Sequence, residues 1–78
     1  MKEDIYMPRL GQTMKEGTVE KWLVEDGTTV EKSQPIVEIS TDKVTNEIGS
    51  PADGILKIKA EAGSTLPIGE VIGEISSD

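Results

Sequence analysis

Shifting Val24 to Ser40 forward by 36 positions lays it on Ala60 to Ser76, and seven of the 17 aligned pairs are identical. The identities are Glu25/Glu61, Gly27/Gly63, Thr29/Thr65, Ile36/Ile72, Glu38/Glu74, Ile39/Ile75 and Ser40/Ser76, with Val30/Leu66 and Thr28/Ser64 as conservative pairs. Gly17-Thr18-Val19 joins the pattern opposite Gly54-Ile55-Leu56 once one residue is skipped. Such a repeat leaves a chain of 78 residues few architectures. Neither copy can cover its own apolar face, because a lone hairpin is marginal in water, so the two must cover each other. The expected result is one quasi-twofold domain spanning residues 1–78, with its core between about residues 5 and 76.

What each copy is made of follows from residue type and punctuation. Nine Ile and six Val supply β-branched apolar residues that suit pleated strands better than helix interiors. Turn signals recur at short intervals: Gly17, Asp26-Gly27, Ser33-Gln34-Pro35, Thr41-Asp42, Ser50-Pro51, Asp53-Gly54, Ala62-Gly63 and Pro67-Ile68-Gly69. The stretches between them have strand length, about four to seven residues. Thr18 to Val24 is ambiguous, since Val19, Trp22 and Leu23 have helix-like spacing, but Gly17 and Asp26-Gly27 bound it as a strand. The fold class is therefore all-β, a small sandwich or flattened barrel. Gly27 and Gly63, at equivalent repeat positions, are expected to hold positive φ. Trp22 reads as a partly buried packing residue.

Eight Lys and Arg against 15 Asp and Glu give a net charge of −7. Such a surface repels phosphate, which argues against nucleic acid and against anionic membranes. There is no Cys and no His, so thiolate or imidazole metal ligands and disulfides are excluded, and no metal site is expected. The start Met1-Lys2-Glu3-Asp4 does not read as a secretory leader. The end, Ser76-Ser77-Asp78, reads as that of a domain excised before a linker.

One segment, Thr41 to Pro51, has no counterpart in the repeat. It is expected to form a hairpin, with Ile36 to Ile39 entering, Thr41-Asp42-Lys43-Val44 turning in type I geometry, and Val44 to Ile48 returning. Lys43 would then offer a reachable amine on a long stem at a tip. Taken alone, a Lys in a polar turn is most often a solvated charge.

The neighbouring residues carry more. Met7-Pro8-Arg9-Leu10-Gly11 with Met14 and Glu16-Gly17-Thr18, Lys21-Trp22-Leu23, Glu25-Asp26-Gly27 with Val30, Glu38-Ile39-Ser40-Thr41-Asp42-Lys43-Val44, and Ser50-Pro51-Ala52-Asp53-Gly54-Ile55-Leu56 stand in that order. Together they resemble the lipoyl domains of the 2-oxo acid dehydrogenase complexes, from about Ile5 to Ser76. The resemblance implies a flattened β-barrel or sandwich of two four-stranded antiparallel sheets with quasi-twofold symmetry. It implies lipoic acid in amide linkage to Lys43, with Asp42 and Val44 as motif flanks, and no catalytic residue of the domain's own. The implied partners are a lipoate ligase or lipoyl transferase, a thiamine-diphosphate-dependent decarboxylase, an acyltransferase core and dihydrolipoyl dehydrogenase. The isolated domain would be monomeric, in a bacterial or archaeal cytoplasm or a mitochondrial matrix. By the same resemblance the loop from Leu10 to Gly17, with Gln12 and Thr13 exposed, lies near the hairpin and helps the decarboxylase recognise its carrier. The Gly11-Gln12-Thr13-Met14 stretch falls between the patterns of different complexes and leaves the substrate class open.

Three other readings stand beside this one. Biotin carrier domains attach their cofactor to a lysine on the same hairpin, but resemblance to them implies Met on both sides, where Asp42 and Val44 stand here. An unmodified structural hairpin domain would make Lys43 incidental. An enzyme would need carboxylate pairs such as Glu25-Asp26, which read as ordinary turn acids.

Overall fold

The computed structural model describes residues 2–11, 14–41 and 44–77. Among these there are eight strands: β1 (Lys2–Tyr6), β2 (Glu16–Trp22), β3 (Thr29–Val30), β4 (Pro35–Ser40), β5 (Thr45–Gly49), β6 (Gly54–Ile58), β7 (Thr65–Pro67) and β8 (Val71–Ser76). They form two four-stranded antiparallel sheets, one in the order β1-β8-β6-β3 and the other β5-β4-β2-β7. The arrangement is a sandwich of two sheets rather than a closed barrel. Thr18 to Val24 is strand as far as Trp22. Pro35 opens β4 and Pro67 closes β7, positions where a missing N–H costs the ladder least.

The repeat is visible bond by bond. Exchanging β1 with β5, β8 with β4, β6 with β2 and β3 with β7 converts one sheet order into the other. The Leu23 N–H donates to the Ile36 carbonyl at 2.8 Å and, 36 residues on, Lys59 donates to Ile72 at 3.0 Å. Gly27 donates to Leu56 and Gly63 to Val19, with φ of 87° and 95° respectively, as their matched turn positions require. Ser33 donates to Ser50 at 2.8 Å where Gly69 donates to Met7 at 3.0 Å.

This last pair corrects the expectation that Thr41 to Pro51 stands outside the repeat. Ser50 is the counterpart of Met7, and β5 is the counterpart of β1. The equivalence hides from a fixed shift because the connection after β1 runs over residues 7–15 and the one after β5 over residues 50–53 only. At the far ends of these strands the Ser40↔Thr45 pair matches the Ser76↔Lys2 pair.

The core lies between the sheets and is drawn from both copies: Val19 with Leu56, Ile36 with Ile72, and Ile39 with Ile75, none more than 1% exposed. Removing such side chains from water at about 25 cal/mol per Å² is the main favourable term available to so small a chain. Trp22 packs on the rim of this core, and its indole N–H donates to the Ala60 carbonyl at 2.9 Å, tying β2 to the second copy.

One irregularity separates β2 from its counterpart β6. Along β2, Val19 pairs with Ile39 and Lys21 with Glu38, so Glu20 is an extra residue, a β-bulge. In β6 the equivalent pairs, Leu56↔Ile75 and Lys57↔Glu74, are consecutive. The bulge accounts for the residue skipped in the repeat. It also turns both Glu20 and Lys21 to solvent and returns Trp22 to the core side, which produces the helix-like spacing of Val19 and Trp22.

Candidate functional site

The β4–β5 hairpin forms at the edge of the second sheet. Its β4 arm, Pro-Ile-Val-Glu-Ile-Ser, is anchored by Ile36, Val37 and Ile39 in the core, whereas most of β5 is exposed. Past the Ser40↔Thr45 pair, the Thr41 N–H donates to the Val44 carbonyl at 2.8 Å, and the Thr41 hydroxyl lies 3.4 Å from both the N–H and the carbonyl oxygen of Val44. This closes the hairpin across two residues. Those two, Asp42 and Lys43, lie outside the described residues, and the expected turn type lies there with them. Val44 is 48% exposed, an apolar side chain left in solvent beside the turn.

The long β1–β2 connection comes to the same place. Leu10, Gly11, Met14 and Lys15 line an open groove of about 690 Å³ together with Thr41 and Val44. The nearness expected of the Leu10 to Gly17 loop is therefore observed in its described part, while Gln12 and Thr13 lie outside the described residues. The loop is held by side chains as well as backbone: the Leu10 N–H points at the Met14 sulfur at 3.1 Å, and the Met14 N–H donates to the Gly11 carbonyl at 3.3 Å.

Hydroxyl groups form part of the groove. Thr65, Thr18 and Ser40 line it, and they belong to one row across the sheet, Thr65↔Thr18↔Ser40↔Thr45. Thr18 and Thr65 share a hydrogen bond of 2.9 Å. The matching row of the first sheet is Thr29↔Ile55↔Ser76↔Lys2, so an all-hydroxyl row is particular to the hairpin side. Reading the sequence alone does not find this row, because its members are brought together only by strand register.

Of the carboxylate pair Glu25-Asp26, the Asp26 side chain takes a structural position. Asp26 Oδ1 accepts the Ile58 N–H at 2.7 Å, closing the end of β6, which is the work of a turn acid.

Comparison with known proteins agrees with this geometry. The family described as "Biotin-requiring enzyme", of biotin and lipoyl domains, matches residues 3–75. The acetyltransferase component of the pyruvate dehydrogenase complex of Corynebacterium glutamicum is 49% identical over 76 residues, covering 96% of this chain. The acyltransferase component of the branched-chain alpha-keto acid dehydrogenase complex of Bacillus subtilis is 44% identical over 77 residues, covering 97%. The chain spans 11% and 18% of the lengths of these two proteins. The solution structure of the lipoyl domain of the 2-oxoglutarate dehydrogenase complex from Azotobacter vinelandii superposes with a TM-score of 0.77 at 35% identity, covering 95% of each chain. With two packed sheets, a two-residue hairpin at the edge of one and relatives matched over nearly its whole length, the chain belongs to the biotin and lipoyl family, as a lipoyl domain of the type found in acyltransferase components of 2-oxo acid dehydrogenase complexes.

Proposed function

We propose that this domain is a swinging-arm carrier in which Lys43 holds lipoic acid in amide linkage and the domain itself supplies no acid, base or nucleophile. The observation that supports it most directly is the hairpin closed between Thr41 and Val44, because the Asp42-Lys43 dipeptide is what joins those two residues. The fit with an attached arm is good on the described residues: Val44 is open to solvent, β5 is an exposed edge, and the neighbouring groove is open rather than enclosed. When bound, the lipoyl group supplies a dithiolane that takes an acyl group and electrons. The protein's part is to keep that group tethered at high effective concentration near successive active sites, which requires a rigid, soluble body. The partners in this reading are a lipoate ligase or lipoyl transferase, a thiamine-diphosphate-dependent decarboxylase, an acyltransferase core and dihydrolipoyl dehydrogenase.

Intact mass decides between the two cofactors of the family. After incubation with lipoate ligase, lipoate and ATP the domain gains one lipoyl mass, and after incubation with biotin ligase, biotin and ATP it stays unchanged, since Asp42 and Val44 replace the methionines of biotin carriers. Efficient biotinylation without lipoylation would reverse the assignment.

The β1–β2 loop has a separable role in this reading, recognition by the decarboxylase. Replacing Gln12 and Thr13 together by Ala lowers kcat/KM for reductive acylation about tenfold, the effect of losing one or two good interface contacts. The rate of lipoylation stays within about twofold, because ligase and decarboxylase read different parts of the surface. Equal acylation of variant and wild type would remove this loop from recognition.

A further inference from the structure

The bulge at Glu20 occurs in β2 but not in its counterpart β6, and it has a consequence at the hairpin. In the second sheet the β2–β4 ladder ends at the Thr18↔Ser40 pair, immediately before Thr41. On its other side β4 is paired with β5, the returning arm of the hairpin and an exposed edge strand. The base of the turn therefore depends on whatever holds Ser40. The Ser40 hydroxyl donates to Glu20 Oε2 at 2.9 Å. A regular β2, like β6, would have no Glu20 in the strand at all, and the next residue, Lys21, would carry a charge of the wrong sign to accept from a hydroxyl. Bulges commonly re-aim a side chain, and here the inserted residue reaches the last laddered residue of β4.

We propose that Glu20 is a positioning residue: through Ser40 it holds Thr41 and Val44, the two described ends of the β4–β5 hairpin turn, in the register that the decarboxylase meets. This rests on the carrier reading above. The group that matters is the acceptor oxygen rather than the negative charge, since what Ser40 needs is a hydrogen-bond partner. Glu20→Gln keeps that acceptor, while Glu20→Val and Ser40→Ala remove one or the other end of the bond.

Two measurements test it. On the unmodified domain, amide exchange of Thr41, whose N–H closes the hairpin on Val44, is expected to speed up about fivefold in Glu20→Val and in Ser40→Ala. It stays at the wild-type rate in Glu20→Gln, as does the exchange of the Leu56 N–H, bonded to Thr28 on the other sheet, in all three variants. On the lipoylated domain, with whichever of the pyruvate, 2-oxoglutarate and branched-chain decarboxylases acylates the wild type, KM for the domain rises about fivefold in the Val and Ala variants at unchanged kcat, with rescue by Gln. Unchanged Thr41 exchange in both disruptive variants, or a Gln variant as impaired as Val, would overturn the proposal while the carrier reading stands. Failure of all three decarboxylases to acylate the lipoylated wild type would overturn the carrier reading and the positioning role with it.

Discussion

Lys43→Arg is expected to abolish lipoylation completely while leaving the fold intact. Seven lysines are present, and the other six stand outside the hairpin turn: Lys2, Lys21 and Lys57 lie within strands, and Lys15, Lys32 and Lys59 in connections. Lys2 and Lys59 both approach the buried Glu74 carboxylate, at 3.9 and 3.5 Å. Arginine keeps the positive charge and much of the stem, so circular dichroism and the thermal midpoint should match the wild type, but its guanidinium stays protonated and is no nucleophile for an activated lipoate. Intact mass after treatment with ligase, lipoate and ATP reads the result. A full lipoyl mass on the Arg variant would show that another lysine is the attachment site.

The largest expected loss of stability is at Gly54, the first residue of β6. Its φ is +153°, and a Cβ placed there would run into the Ser76 carbonyl oxygen and come within 2.7 Å of the Ile75 side chain. A main-chain carbonyl in a central strand cannot step aside as a flexible side chain can. Gly54→Ala therefore combines unfavourable backbone geometry with overpacking and should cost about 3 kcal/mol or more. Against the roughly 4–12 kcal/mol expected of a domain this size, that is a large fraction, and the thermal midpoint should fall by at least about 10 °C. Gly63→Ala is the control, since φ there is +95° but nothing lies within 4 Å of the added carbon. It should cost about 1–2 kcal/mol from the left-handed conformation alone. If the two variants melt together, the close approach of β6 to the end of β8 does not govern stability.

Much of this architecture was legible before any coordinates, and the reason is redundancy. Matched pairs such as Ile36/Ile72 and Gly27/Gly63 report a shared core position and a shared turn, so the all-β class, the quasi-twofold relation and the β4–β5 hairpin could be read from residue types and spacing. The β1/β5 equivalence could not, because connections of unequal length destroy a constant shift while leaving the hydrogen bonds equivalent. The bulge left a trace, the one-residue skip between Val19 and Val24, but a skip in a sequence does not say which residue is expelled or what its side chain then touches. The Asp42-Lys43 motif needed its neighbours to become informative. The hydroxyl row and the Glu20–Ser40 bond were invisible because cross-strand register is a property of the folded sheet.

The pairing of β1 with β8 joins Lys2 to Ser76, almost the full length of the chain, whereas Ser40 and Thr45 meet across a turn. Contacts so far apart in sequence close slowly, and among the described residues β1 has no laddered neighbour other than β8. During synthesis the β4–β5 hairpin can therefore form early, but the sheet opposite it stays incomplete until β8 has left the ribosome. In the carrier reading proposed above, an enzyme that requires the assembled sandwich has no substrate before β8 is in place: the pairing of β8 with β1 and β6, rather than the appearance of Lys43, becomes the event that opens the domain to modification.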